Sequence, residues 1–239
     1  MRLGISSYCL DREIENGILT LDEAIDWAAK YGAECMELVP FAFRFDDEVT
    51  GKIDLAKIAA VKKRAKDAGL ALVNYSVLAD FCKEGEDLEK EIARVCHHVD
   101  IAAELGVPRM RHDVTAFRRP LNQNTLKDFD RWLPVLAESA KRVTEHAKKL
   151  GVMTLIENHG FFANGCDRVE RILNAVNDDN YGLLLDTGNI ICCDALLTHF
   201  CFYAFCDIRQ NFASAVFGAG RDFPFFQQSS VCLEQSAFY

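Results

Sequence analysis

Gly151-Val152-Met153-Thr154-Leu155-Ile156-Glu157-Asn158-His159-Gly160 is the stretch on which the fold turns. A glycine leads into an apolar, β-branched run that suits a buried strand, and the run ends abruptly in a carboxylate, an amide and an imidazole. Just upstream, residues 125–150 space Leu133, Leu136, Ala140, Val143, Ala147 and Leu150 at threes and fours, the interval of one helix face. Helix, glycine, apolar strand and polar strand end form a unit, and the unit recurs outward along the chain. Strands are expected at Leu3–Tyr8, Cys35–Val39, Ala71–Ser76, Val107–Val114 and Tyr181–Asp186, besides Val152–Glu157. Helices are expected over 20–31, 53–68 and 87–105, the first with Thr20 and Glu23 as a capping box. Gly32, Gly69, Gly106 and Gly151 each stand between a helix and the next strand, where a left-handed C-cap belongs.

Strands that alternate with helices imply a parallel sheet with crossover helices. No Gly-x-Gly-x-x-Gly follows the first strand, which disfavours a dinucleotide-binding sheet. The expected class is therefore α/β, a (β/α)8 barrel of the TIM type. The strand starts lie about 36 residues apart, so eight units would need roughly 285 residues, and the 239 present predict an incomplete barrel of about six clear units, the last one or two absent or aberrant.

Half of the residues are hydrophobic and the net charge is −9, which excludes disorder as the main state and argues against nucleic acid or an anionic membrane as partner. No apolar run reaches the roughly 20 residues of a membrane helix. The segment Met1–Ser7 is too short for a secretory leader, so a cytoplasmic protein is expected. Composition changes near residue 190. Residues 191–239 hold 5 of the 10 cysteines, 9 of the 17 phenylalanines and 6 of the 63 charged residues. The chain is accordingly divided into barrel units over 1–190 and an atypical Phe/Cys-rich tail over 191–239. Unpaired edges on the first and sixth strands would favour a homo-oligomer.

In such barrels the chemistry sits at the C-terminal ends of the strands. Those ends read Ser7-Tyr8, Glu37, Asn74-Tyr75-Ser76, Arg111-His112-Asp113, Glu157-Asn158-His159 and Asp186-Thr187-Gly188-Asn189. Carboxylates, imidazoles and amides of this kind suit a divalent metal and a polyhydroxylated ligand. Glu157 and Asp186 end consecutive strands and are close enough in order to share one metal. The alternative is that each caps the following helix or pairs with an arginine, such as Arg168 or Arg111. His112 is expected to contact substrate or metal, or else to form a pair with Asp113 that holds a loop. Glu37 is expected to bind a sugar hydroxyl, or to pair inside the barrel with Arg111 or Arg109. Tyr75 and Trp27 read as packing residues, and His97-His98 as part of the outer helical layer.

Glu157-Asn158-His159-Gly160 and Leu184-Leu185-Asp186-Thr187-Gly188-Asn189 resemble the strand-five and strand-six signatures of xylose isomerase-like TIM barrels, the sugar (phosphate) isomerase/epimerase group. Leu3-Gly4-Ile5-Ser6-Ser7-Tyr8 and Met36-Glu37-Leu38 resemble the first two strands of that group, and the resemblance covers residues 1–190. It implies a divalent metal, Mn²⁺, Mg²⁺ or Co²⁺, held by Glu157, Asp186 and two further ligands from strands seven and eight. It also implies a sugar or sugar phosphate as substrate, with His112, His159, Asn189 and Glu37 as contacts. Glu157 would move a proton next to the substrate carbonyl through an enediolate.

The tail departs from this pattern. His199 and Glu234 are the histidine and glutamate it offers, and neither stands in a strand-end context. Cys192-Cys193 and Cys201…Cys206 lack zinc-knuckle spacing. The tail also reads as the product of a disrupted reading frame. These departures support a second reading, a barrel that keeps its scaffold without its catalysis; a third, an endonuclease IV-like phosphoesterase on the same scaffold, is opposed by Asn189, where that group carries a histidine, and by the acidic charge.

Overall fold

The computed structural model describes residues 2–189. Its elements, in chain order, are β1 (Gly4–Ser6), α1 (Asp11–Glu15), α2 (Leu21–Lys30), β2 (Cys35–Leu38), α3 (Leu55–Asp67), β3 (Ala71–Val77), α4 (Gly85–Leu105), β4 (Arg109–His112), α5 (Leu126–Lys149), β5 (Met153–Glu157), α6 (Cys166–Val176) and β6 (Tyr181–Leu184). The six strands form one sheet in the order β1-β2-β3-β4-β5-β6, every neighbouring pair parallel. This is an α/β fold of the TIM-barrel type. The border drawn at residue 190, the tail cysteines, His199 and Glu234 lie outside the described residues.

Each expected strand is present, five of them shortened at one or both ends and β3 longer by one residue. The capping box at Thr20 forms as read, Thr20 accepting from the Glu23 N–H while Glu23 accepts from the Thr20 N–H, and the structure adds a second, unread box of Thr125 with Asp128 at the start of α5. Gly106 ends α4 at φ 71°, a left-handed conformation that costs a residue with a Cβ far more than glycine. Gly32, Gly69 and Gly151 take the same hand. The helix α6 has no glycine stop, because Asn177 takes the left-handed C-cap at φ 46°. That is why a reading keyed to glycine did not delimit it.

The two faces of the sheet carry different chemistry. Met36, Leu38, Tyr75, Met110 and Ile156 are fully buried in one hydrophobic core with Ile25 of α2, Ile58 and Val61 of α3, Val95 and Val99 of α4, and Leu136 and Val143 of α5. Thr154 on this side bonds to Thr144 of α5 at 2.7 Å, so even its hydroxyl is satisfied. Side chains alternate along a strand, so the residues between these face the barrel interior. There stand Glu37, Asn74, Ser76, Arg111 and Glu157. A register shift between Met36 and Glu37 sets Glu37 opposite Asn74, and bulges of this kind re-aim side chains beside functional sites.

The segment between β3 and α4 is tied down by Glu91. This buried carboxylate accepts from the Asp80 N–H at 2.9 Å and from Arg94 at 2.8 and 3.1 Å, and Lys83 lies 3.3 Å away. Arg94 in turn donates to the Leu78 carbonyl at 2.6 Å. Burial alone would raise the Glu91 carboxyl, but these donors outweigh it and hold the group at about 2. A carboxyl lowered in the fold contributes stability above its unfolded value near 4.5, and that contribution disappears as pH falls toward 2. Glu91→Gln should therefore lower the unfolding free energy by about 1–3 kcal/mol at pH 7. In urea melts the gap to the parent protein should narrow steadily below pH 4.5. A gap independent of pH would contradict this account.

Candidate active site

Parallel pairing puts the C-terminal ends of all six strands at one mouth of the sheet. Arg111 on β4 is the centre of what gathers there. Its side chain is 6% exposed, and Nη2 forms an ion pair with Glu157 Oε2 at the end of β5. The same nitrogen lies 3.0 Å from Asp113 Oδ1 and 3.0 Å from His159 Nδ1. His159 Nδ1 is also 3.1 Å from Asp113 Oδ1, and the imidazole stacks on Phe117 with ring centroids 4.6 Å apart.

Glu157 and Asp186 are brought together, as their matching positions predicted, and Asn189 joins them. Its side-chain amide donates to Glu157 Oε1 at 3.0 Å while its backbone N–H donates to Asp186 Oδ1 at 3.1 Å. Gly188 N–H reaches the same Asp186 oxygen at 2.7 Å, the bonding of a helix N-cap. Asn158 holds the Asp186 backbone at both ends, donating to its carbonyl at 2.8 Å and accepting from its N–H at 2.7 Å. Asn164 fixes the surrounding loop through the carbonyls of Gly160 and Asn189. Gly160 is needed here for space, since a Cβ would meet the Phe117 backbone at 3.0 Å.

Two carboxylates, Glu157 and Asp113, thus pair with one guanidinium, and the charge of Asp186 bears on Glu157 as well. Glu157 is left under-compensated. Its carboxyl is pushed up to about 7, by burial first and then by the charges of Asp186 and Asp113, against the pull of Arg111 and His159.

The other expected residues fall as follows. Glu37 lies on the interior face, where it accepts from Asn74 at 2.9 Å and from Ser76. The expected pairing with Arg111 is not made, because the guanidinium turns to β5 instead. His112 is not brought into the cluster. As the neighbour of Arg111 in an extended strand it points to the helical side, fully buried against Phe81 and Tyr181. Burial holds its imidazole down at about 4. The alternative His112–Asp113 side-chain pair is also not formed: His112 Nδ1 meets the Asp113 backbone carbonyl, and the Asp113 carboxylate goes to Arg111 and His159. Arg168 is spent on the Phe162 and Asn124 carbonyls rather than on Glu157. Tyr75 packs in the core as expected, and His97 and His98 lie on α4, where they meet Asp46 and Tyr75. Sequence reasoning named Arg111 and Asp113 only as partners of other residues, and it missed Asn164, which no motif signals.

An α/β barrel with a buried acidic cluster at its C-terminal mouth defines a class in which catalysis at the strand ends is the rule. The profile of xylose isomerase-like TIM barrels matches residues 25–216 of this chain, and the chain belongs to that family. No curated protein matches it. Among solved structures it is similar to the D-psicose 3-epimerase of Clostridium cellulolyticum H10, at 18% identity and a TM-score of 0.64, covering 82% of this chain and 66% of that one. A sugar phosphate isomerase/epimerase from Parabacteroides distasonis gives 22% and 0.56, over 80% and 66%. A probable 3-DHS dehydratase from Bacillus anthracis gives 14% and 0.61, over 88% and 70%. Likeness at these identities establishes the fold. The chain spans 27% of a xylose isomerase-like/4-hydroxyphenylpyruvate dioxygenase fusion protein and about two thirds of the two isomerase/epimerase structures. No described helix is long and apolar enough to cross a membrane.

A carboxyl raised in the fold is favoured protonated, so the folded state loses stability as pH rises from the unfolded value near 4.5 to about 7, and the loss levels off above that. The melting temperature of the metal-free protein should fall between pH 5 and 7.5. Glu157→Gln should flatten that slope. An unchanged slope in the variant would assign the pH dependence to another group.

Proposed function

We propose that the chain is a metal-dependent isomerase or epimerase of a sugar or sugar phosphate, working by proton transfer next to the substrate carbonyl. The supporting observation is Glu157, a strand-end carboxyl that burial pushes up to about 7 and that Asn189 links to Asp186. Two structural relatives, a D-psicose 3-epimerase and a sugar phosphate isomerase/epimerase, point the same way.

The donor set fits a divalent cation at two positions. Among the described residues no group of three or more metal-ligating side chains gathers, but Glu157 and Asp186 supply two oxygen ligands in a pocket short of positive charge. Those two residues would hold the ion. When bound, such an ion polarises a carbonyl and acidifies the adjacent C–H. Glu157 takes the proton from that carbon on one face of the substrate; isomerisation returns it to the neighbouring carbon of the enediolate, and epimerisation requires a second acid on the opposite face, a task suited to carboxyls whose proton affinity lies near the working pH. Asn189 aims Glu157 Oε1, while Arg111 pairs with its Oε2 in the metal-free protein. His159, held by Asp113 and by its stack on Phe117, presents an imidazole to substrate hydroxyls, and Asn189 and Glu37 extend the polar wall. His112, on the far side of the sheet, takes no part.

A second reading, a scaffold without catalysis, is favoured by one observation: Glu157 is already paired with Arg111, and Asp186 already serves as a cap. The two readings part on one experiment. With Mn²⁺ and a panel of ketoses and their phosphates, epimer or isomer formation should be detected and should fall by about 10²–10⁴-fold in Glu157→Gln. Mn²⁺ should also raise the melting temperature of the parent protein. No turnover and no thermal shift with Mn²⁺, Mg²⁺ or Co²⁺ would leave the scaffold reading.

A further inference from the structure

Arg111 uses its donors unevenly. A guanidinium has five N–H groups. Nη2, with two of them, faces Glu157, Asp113 and His159 together. Nη1 makes a contact of 3.4 Å to the Val77 carbonyl. Nε is buried and meets no acceptor among the described residues. A structural anchor normally engages carboxylates as a two-pronged fork. Here one nitrogen is oversubscribed while another is idle, so the side chain acts on the cluster as a charge more than as a hydrogen-bonded brace.

That charge occupies the oxygen that the proposed site most needs. Nη2 sits on Glu157 Oε2, Asn189 has Oε1, and two like charges cannot share one carboxylate oxygen at close range without mutual repulsion. Asp113 offers an alternative. It is 4% exposed and 3.0 Å from the same nitrogen, so Arg111 can give up Glu157 and remain paired. We infer that Arg111 is a built-in counter-cation, which holds Glu157 when no metal is bound, competes with the metal for that carboxylate, and rests on Asp113 when the metal displaces it. The inference rests on Glu157 and Asp186 being cation ligands. It gives Arg111 a defined part: it keeps the metal-free barrel folded at the cost of metal affinity.

A purely structural arginine and a counter-cation differ in sign. Removing a structural residue weakens both the fold and the site. Removing a counter-cation weakens the metal-free fold but strengthens metal binding. Mn²⁺ binding to the full chain is measured by titration calorimetry, with melting temperatures in chelator and in Mn²⁺. Arg111→Met should melt earlier in chelator, bind Mn²⁺ on the order of tenfold more tightly than the parent, and gain more from Mn²⁺ in melting temperature. Arg111→Met with Asp113→Asn removes one of the stranded carboxylates and carries the same expectation if the single variant does not fold. Equal or weaker Mn²⁺ binding in these variants, with binding abolished in Glu157→Gln, would overturn the counter-cation role and leave the metal site standing. No Mn²⁺ binding in the parent or in either Arg111 variant would remove the site itself, and this inference with it. Binding that emerges only once Arg111 is gone would support both.

Discussion

One guanidinium inside a parallel sheet must serve several carboxylates, and the architecture of the mouth follows from that imbalance. Arg111 is nearly buried, so it must stay paired. Glu157 and Asp113 are within its reach, and Asp186 adds a third negative charge through Asn189. The residual negative charge is not dispersed into solvent, because Asp113 and Glu157 are only 4% and 13% exposed. It falls on Glu157, the carboxyl at the centre of the group. The same constraint that makes this site costly to fold raises the proton affinity of its central carboxyl.

The surroundings of the cluster divide the labour between two kinds of contact. The helical side of the sheet is apolar and closely filled, which keeps the strands in register without using the residues that face inward. The inward side is polar and depends on amides: Asn74 for Glu37, Asn158 and Asn164 for the loops after β5 and β6, and Asn189 for the two carboxylates. Amides suit this role because each carries donors and an acceptor and has no charge to add. Asn158 shows the principle, since it holds both the N–H and the carbonyl of Asp186 and so sets where that carboxylate can stand.

Much of this was legible in the residues. Six apolar runs, helical spacing at threes and fours, one capping box and glycine stops predicted the βα series, and α6 escaped delimitation because Asn177 ends it in place of glycine. The matching positions of Glu157 and Asp186 put them at neighbouring strand ends, where Asn189 bonds to both. His112 shows where that reasoning stops. In the string Arg111-His112-Asp113 all three residues look equally available, and only strand alternation separates them, sending Arg111 inward and His112 under the helices. A strand end read from sequence has no fixed phase until the neighbouring strand sets it.

The sequence by itself determined the class of fold, the order of its strands and which residues stand at their ends, because periodicity, caps and turn residues are local properties that each segment carries with it. Tertiary structure decided which partner each polar group takes. Arg111 had Glu37, Glu157 and Asp113 as candidates, and the choice went to Glu157 and Asp113 because register and the bulge at Glu37 hand that carboxylate to Asn74 and Ser76. Such choices depend on distances of a few ångströms between segments far apart in the chain, and no local pattern encodes them.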